Sequence, residues 1–109
     1  MPPRAPMHVP VEILRRDGRT RWYRLSADVS VETLSFTHVV PETLDGPLAI
    51  AFHLPGDAAP LRCGAYAVEE VVGEGEEERA ERRAVRFADL DEASRARIAN
   101  YVTERLGSS

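Results

Sequence analysis

Val9, Val11 and Ile13 alternate with His8, Pro10 and Glu12, which is the two-residue period of a half-buried strand and predicts strand over 8–15. Asp17-Gly18 then marks a turn, and Trp22 to Val29 alternates again, with Tyr23, Leu25, Ala27 and Val29 on one face. A two-residue loop sets Ile13 opposite Trp22. Matching the apolar faces instead requires Ile13 opposite Tyr23, so the expected register carries a three-residue loop or a bulge. Leu34 and Phe36, extending toward His38, alternate with Thr33, Ser35 and Thr37 as a third strand. Asp45-Gly46-Pro47 turns the chain into a fourth, Leu48 to Leu54, which Pro55-Gly56-Asp57 closes. Leu61 to Val72 reads as a long fifth strand and Ala84 to Ala88 as a sixth, joined by a glutamate-rich link expected to be a solvated hairpin tip.

The tail changes period. Asp89 offers an N-cap with Glu92 three positions on, after which Ile98, Tyr101, Val102 and Leu106 recur at helical spacing and Gly107 supplies a stop. Strands over about 8–90 and a helix over about 91–106 predict a mainly β protein: a six-stranded antiparallel barrel with one C-terminal α-helix. The expected organisation is a flexible N-terminal segment, 1–7, and a single domain, 8–109.

A chain of 109 residues has room for one core, and 43% hydrophobic with 29% charged residues is ordinary globular composition. The most apolar run, Leu48 to Phe52, is too short for a membrane span, and the N-terminus lacks the apolar stretch of a signal peptide. One cysteine, Cys63, makes no internal disulfide and reads as a small core residue; the expected compartment is the cytoplasm. His8, His38 and His53 share no metal-ligand spacing with it, so no metal is expected. A net charge of −4 and few aromatics argue against binding a nucleic acid polymer. No nucleophile with a base, paired carboxylates or phosphate loop stands out, so neither an enzyme nor a cofactor is expected.

All fourteen basic residues are arginine. Arg15, Arg16, Arg19, Arg21 and Arg24 surround the first hairpin, and such a cluster either guards a strand edge or presents a surface to an acidic partner. Arg19, Arg21, Trp22 and Arg24 are the candidate partner surface, with Trp22 either an exposed aromatic anchor or an indole packed under the C-terminal helix. The helix face around Arg95, Arg97, Glu104 and Arg105 is a second. A monomer and a homodimer both fit.

The stretch Ala27-Asp28-Val29-Ser30-Val31-Glu32-Thr33 resembles the D/N-x-S-x-x-G turn of PilZ domains, with Asp28 and Ser30 in place and Thr33 at the glycine. Arg4 to His8 lies where that family carries R-x-x-x-R, with His8 at the second arginine. Arg15 to Arg19 also spells R-x-x-x-R, but after the first strand. Val85 to Leu90 and Arg97 to Val102 are similar to the family's last strand and helix. The resemblance implies a bacterial cyclic di-GMP receptor fold, whose ligand is gripped by the arginine motif and the polar turn. Arg4, His8, Asp28, Ser30 and Thr33 are then the ligand-site residues. A guanidinium bridges two acceptors on guanine or phosphate, and Asp28 accepts guanine N–H groups. His8 is shorter and lacks the guanidinium fork, and Thr33 adds a β-branched side chain where the backbone must turn. Loss of one bidentate, charge-assisted contact costs about 2 kcal/mol. The expected function is a stand-alone signalling adaptor acting through protein contacts in a cyclic di-GMP-related or motility pathway, with nucleotide binding weakened or lost. The alternative is a working receptor that uses Arg4, Asp28 and Ser30.

Overall fold

The computed structural model describes residues 2–15, 18–40, 46–72 and 79–107. Among these residues seven strands precede one helix: β1 (Ala5–Pro6), β2 (Pro10–Arg15), β3 (Arg21–Val29), β4 (Thr33–Phe36), β5 (Leu48–Phe52), β6 (Leu61–Val72), β7 (Arg79–Phe87) and α1 (Glu92–Gly107). Every pairing is antiparallel. The order β1-β3-β2-β5-β6-β7-β4 closes through β3–β4 pairing, which gives the expected six-stranded barrel with β1 as an added strand. Closure removes free strand edges where the six pair around the ring.

β1 and Met7 lie within the segment that the sequence reading set apart as flexible. Ala5 pairs with Val29, and Ala5 and Met7 are core residues at 0% and 1% exposure. The physical cause is visible in the chain itself: Ala5 and Met7 continue the alternation of Val9, Val11 and Ile13 toward the N-terminus, across prolines that an edge strand tolerates.

The hairpin register differs from the expected one. Ile13 faces Trp22 and Glu12 faces Tyr23, the register that a two-residue loop sets, and Gly18 has φ 75°. Arg16 and Asp17 lie outside the described residues, and with them part of the second R-x-x-x-R. Tyr23 and Leu25 therefore face outward, 59% and 46% exposed, and Trp22 packs half-buried against the core. No single alternation runs through β3, because a bulge between Ser26 and Asp28 inserts one residue against β4. Trp22 and Ser26 lie inward before the bulge and Val29 after it.

β4 stops at Phe36, leaving His38 exposed beyond it, and β7 begins five residues before the expected Ala84. The glutamate-rich link at 73–78 lies outside the described residues, as do 41–45 before Gly46. Asp57 N donates to Leu54 O at 3.0 Å, closing the expected turn around Gly56, whose φ is 80°.

Alternating apolar residues of every strand meet inside, where Phe52 and Phe87 stack with centroids 6.4 Å apart. Ile98 and Val102 of α1 join that core, while Leu106, expected on the same face, is 53% exposed. The helix is capped by Asp91 rather than Asp89: Ser94 N donates to Asp91 Oδ1 at 2.6 Å. Asp89 instead accepts from Gly64 N of β6. Among the described residues no helix is long and apolar enough to cross a membrane.

Candidate functional site

Ser30 closes the turn between β3 and β4. Its hydroxyl accepts from Glu32 N at 3.1 Å and Thr33 N at 3.0 Å, and Ser30 N donates to Thr33 O at 2.9 Å. A serine whose side chain replaces backbone acceptors in this way fixes a tight turn, which explains its 1% exposure. Thr33 thereby begins β4 with its Oγ1 3.2 Å from Ser30 Oγ. No non-glycine residue among those described has a positive φ, so Thr33 carries no left-handed backbone strain. Its side chain adds a hydroxyl and a methyl group at the start of β4.

Arg4 reaches that turn from the residue before β1. Arg4 Nη2 donates to Thr33 Oγ1 at 2.9 Å, and Nε stands 3.4 Å from Asp28 Oδ1. Asp28 Oδ1 is shielded from solvent and makes no hydrogen bond, so its attraction to Arg4 is coulombic. Arg4, Ser30, Glu32, Thr33, Glu69 and Arg86 line one cleft of about 260 Å³. Two arginines and two glutamates balance in its wall, and Arg86 Nη2 lies 3.6 Å from Glu32 Oε2.

Four of the five residues singled out for the ligand site, Arg4, Asp28, Ser30 and Thr33, thus stand together. His8 does not line the cleft. Its Nδ1 lies 3.3 Å from Ser26 O, and four steps of extended chain separate it from Arg4, about 13 Å at roughly 3.3 Å per residue. Glu32, Glu69 and Arg86 were not singled out from the sequence; the pairing of Thr33 with Arg86 across β4 and β7 brings the last of them in.

The candidate partner surface divides. Arg19 and Arg21 are exposed, Arg24 Nη1 donates to Tyr23 O at 3.1 Å, and Trp22 belongs to the core, so Tyr23 is the hairpin's exposed aromatic. On α1, Arg97 is not a free surface charge: its Nε and Nη2 reach Asp57 Oδ2 at 3.0 and 2.6 Å. Cys63 is half-buried against the core, and burial, with Asp89 and Asp91 adding to it, pushes its thiol pKa up to about 11.

No protein-family model matches the sequence, and no curated protein sequence matches it significantly. Solved structures do match in fold. The inhibitor of motility of Bacillus subtilis (MotI/DgrA) superposes with a TM-score of 0.71 at 13% identity, over 100% of this chain and 52% of that one. This chain spans about half the length of that protein. The PilZ domain of YcgR from Escherichia coli, solved with cyclic di-GMP, matches at TM-score 0.61 and 14% identity, over 95% of this chain and 88% of that one. The PilZ domain of CeSA from a cellulose-synthesizing bacterium matches at 0.55 and 17%, over 95% of each chain. The fold is that of PilZ domains.

Proposed function

We propose that this chain is a PilZ-type signalling domain that acts through protein contacts in cyclic di-GMP-linked or motility control, and that its own grip on the nucleotide is weak or lost. The observation that carries this reading is the 2.9 Å hydrogen bond from Arg4 to Thr33 Oγ1. The guanidinium that the resemblance assigns to the ligand is committed to Thr33 and Asp28 within the chain. Displacing a hydrogen bond to a charged group costs about 1.5–3 kcal/mol, or about ten- to a hundredfold in affinity. Glu32 and Glu69 in the same wall oppose an anionic ligand, and His8 stands apart from it. Protein contact falls to the hairpin, where Arg19, Arg21 and Arg24 surround exposed Tyr23. The likeness to a motility inhibitor supports that direction.

One observation favours the receptor reading: Asp28 Oδ1 is a shielded acceptor without a donor, a place for a guanine N–H. Calorimetric titration of cyclic di-GMP separates the two. The adaptor reading expects binding weaker than about 0.1 mM, and low-micromolar binding makes Arg4, Asp28 and Ser30 ligand contacts.

A further inference from the structure

The register of β2, β3, β5 and β6 sets a straight row of outward positions across the barrel wall. Tyr23 faces Glu12, Glu12 faces Ala51, and Ala51 faces Arg62. The adjacent row runs Arg21, Leu14, Ala49. Because β5 presents only the methyl groups of Ala49 and Ala51 on this side, the wall sinks there into a trough of about 530 Å³ between Glu12 and Leu14 on one bank and Arg62 on the other.

Opposite charges therefore flank β5, each one strand spacing away, about 4.8 Å. Arg62 is exposed, and no carboxylate among the described residues pairs with it. Glu12 accepts from Tyr23 Oη at 3.1 Å and pairs with Arg21 at 3.8 Å, a solvent-exposed contact worth little that a better-placed cation can replace.

Equal and opposite charges placed symmetrically about one strand are self-complementary under a two-fold rotation. Turning a second copy by 180° about an axis along β5, between two facing sheets, carries its Glu12 over Arg62 of the first and its Arg62 over Glu12. The perpendicular axis sets Glu12 over Glu12 and Arg62 over Arg62, which is repulsive. Facing sheets pack about 10 Å apart, a gap that the long Glu12 and Arg62 side chains, with Leu14 and Tyr23 beside them, reach across above the low floor of β5. We propose that this face is an isologous dimer interface with a second copy of this chain, held by two symmetry-related Glu12–Arg62 pairs across β5.

Sedimentation equilibrium of the full chain over about 5 to 500 µM tests this, since a small sheet interface falls in that affinity range. The natural chain is expected to dimerise reversibly. Glu12→Arg and Arg62→Glu each set like charges at both contacts and weaken the dimer about tenfold or more. The double variant exchanges the charges across β5 and restores affinity to within about threefold of the natural chain. Ala51→Gln raises the floor without changing charge and also weakens the dimer, with circular dichroism confirming each fold. A monomer at every concentration, a dimer indifferent to both single reversals, or a double variant as weak as the singles overturns the proposal.

Discussion

Arg97 of α1 clasps Asp57 in the turn between β5 and β6: two guanidinium nitrogens reach one carboxylate oxygen at 3.0 and 2.6 Å, and Nη2 also donates to Ala59 O at 2.6 Å. The contact ties the helix to the barrel across 40 residues of sequence. Hydrogen bonding to Arg97 foremost, with the Ala59 backbone after it, holds the Asp57 carboxyl below its ordinary 3.8. A lowered folded-state pKa gives a stabilisation that is present above the unfolded value and lost as pH falls through the folded one. Arg97→Met is therefore expected to lower the melting temperature at pH 7, and the gap between variant and natural chain to narrow below pH 4. Thermal melts across that range check it; a gap that stays constant with pH contradicts the clasp.

Trp22→Ala is expected to destabilise the fold by about 2 kcal/mol or more, because the indole packs half-buried against the barrel core. Tyr23→Ala at the neighbouring exposed position is expected to stay within about 0.5 kcal/mol. Urea denaturation of the two variants decides which ring belongs to the surface.

Ser26 is fully buried, and its hydroxyl accepts from Val9 N at 2.9 Å while donating to Met7 O. Ser26→Ala leaves both backbone groups without that partner and is expected to cost about 1–3 kcal/mol. Equilibrium unfolding measures it. A neutral substitution shows that the link between β1 and β2 reaches other partners.

Cys63, with its pKa pushed up to about 11, is a protonated thiol at pH 8. Alkylation by iodoacetamide is expected to be slow in the folded chain and to accelerate markedly in urea, since the thiolate is the reacting form. Equal rates in both states contradict the burial assigned to it.

Period-two alternation and turn dipeptides made the barrel strands legible, because half-buried strands and tight turns write themselves locally. What was not legible depended on distant partners. The bulge at Ser26–Asp28 changes the inward parity of β3, and only the pairing with β4 shows it, so Trp22 and Tyr23 exchanged faces. The cap at Asp91 and the Asp89–Gly64 contact look alike in sequence and separate only once β6 is in place. Likewise the turn motif places Asp28, Ser30, Glu32 and Thr33 together and the segment before β1 adds Arg4, whereas Glu69 and Arg86 come from β6 and β7 of the folded wall. Their spacing along the chain carries no signal for that meeting.

The most direct test of a weakened nucleotide site is calorimetric titration of cyclic di-GMP into the natural chain and into Thr33→Gly combined with His8→Arg. Removing Thr33 Oγ1 releases Arg4 from its 2.9 Å internal hydrogen bond, and the second arginine restores the motif. The account expects no measurable binding by the natural chain and binding by the double variant at least about tenfold tighter than the detection limit. Micromolar binding by the natural chain, unchanged in the variant, contradicts it.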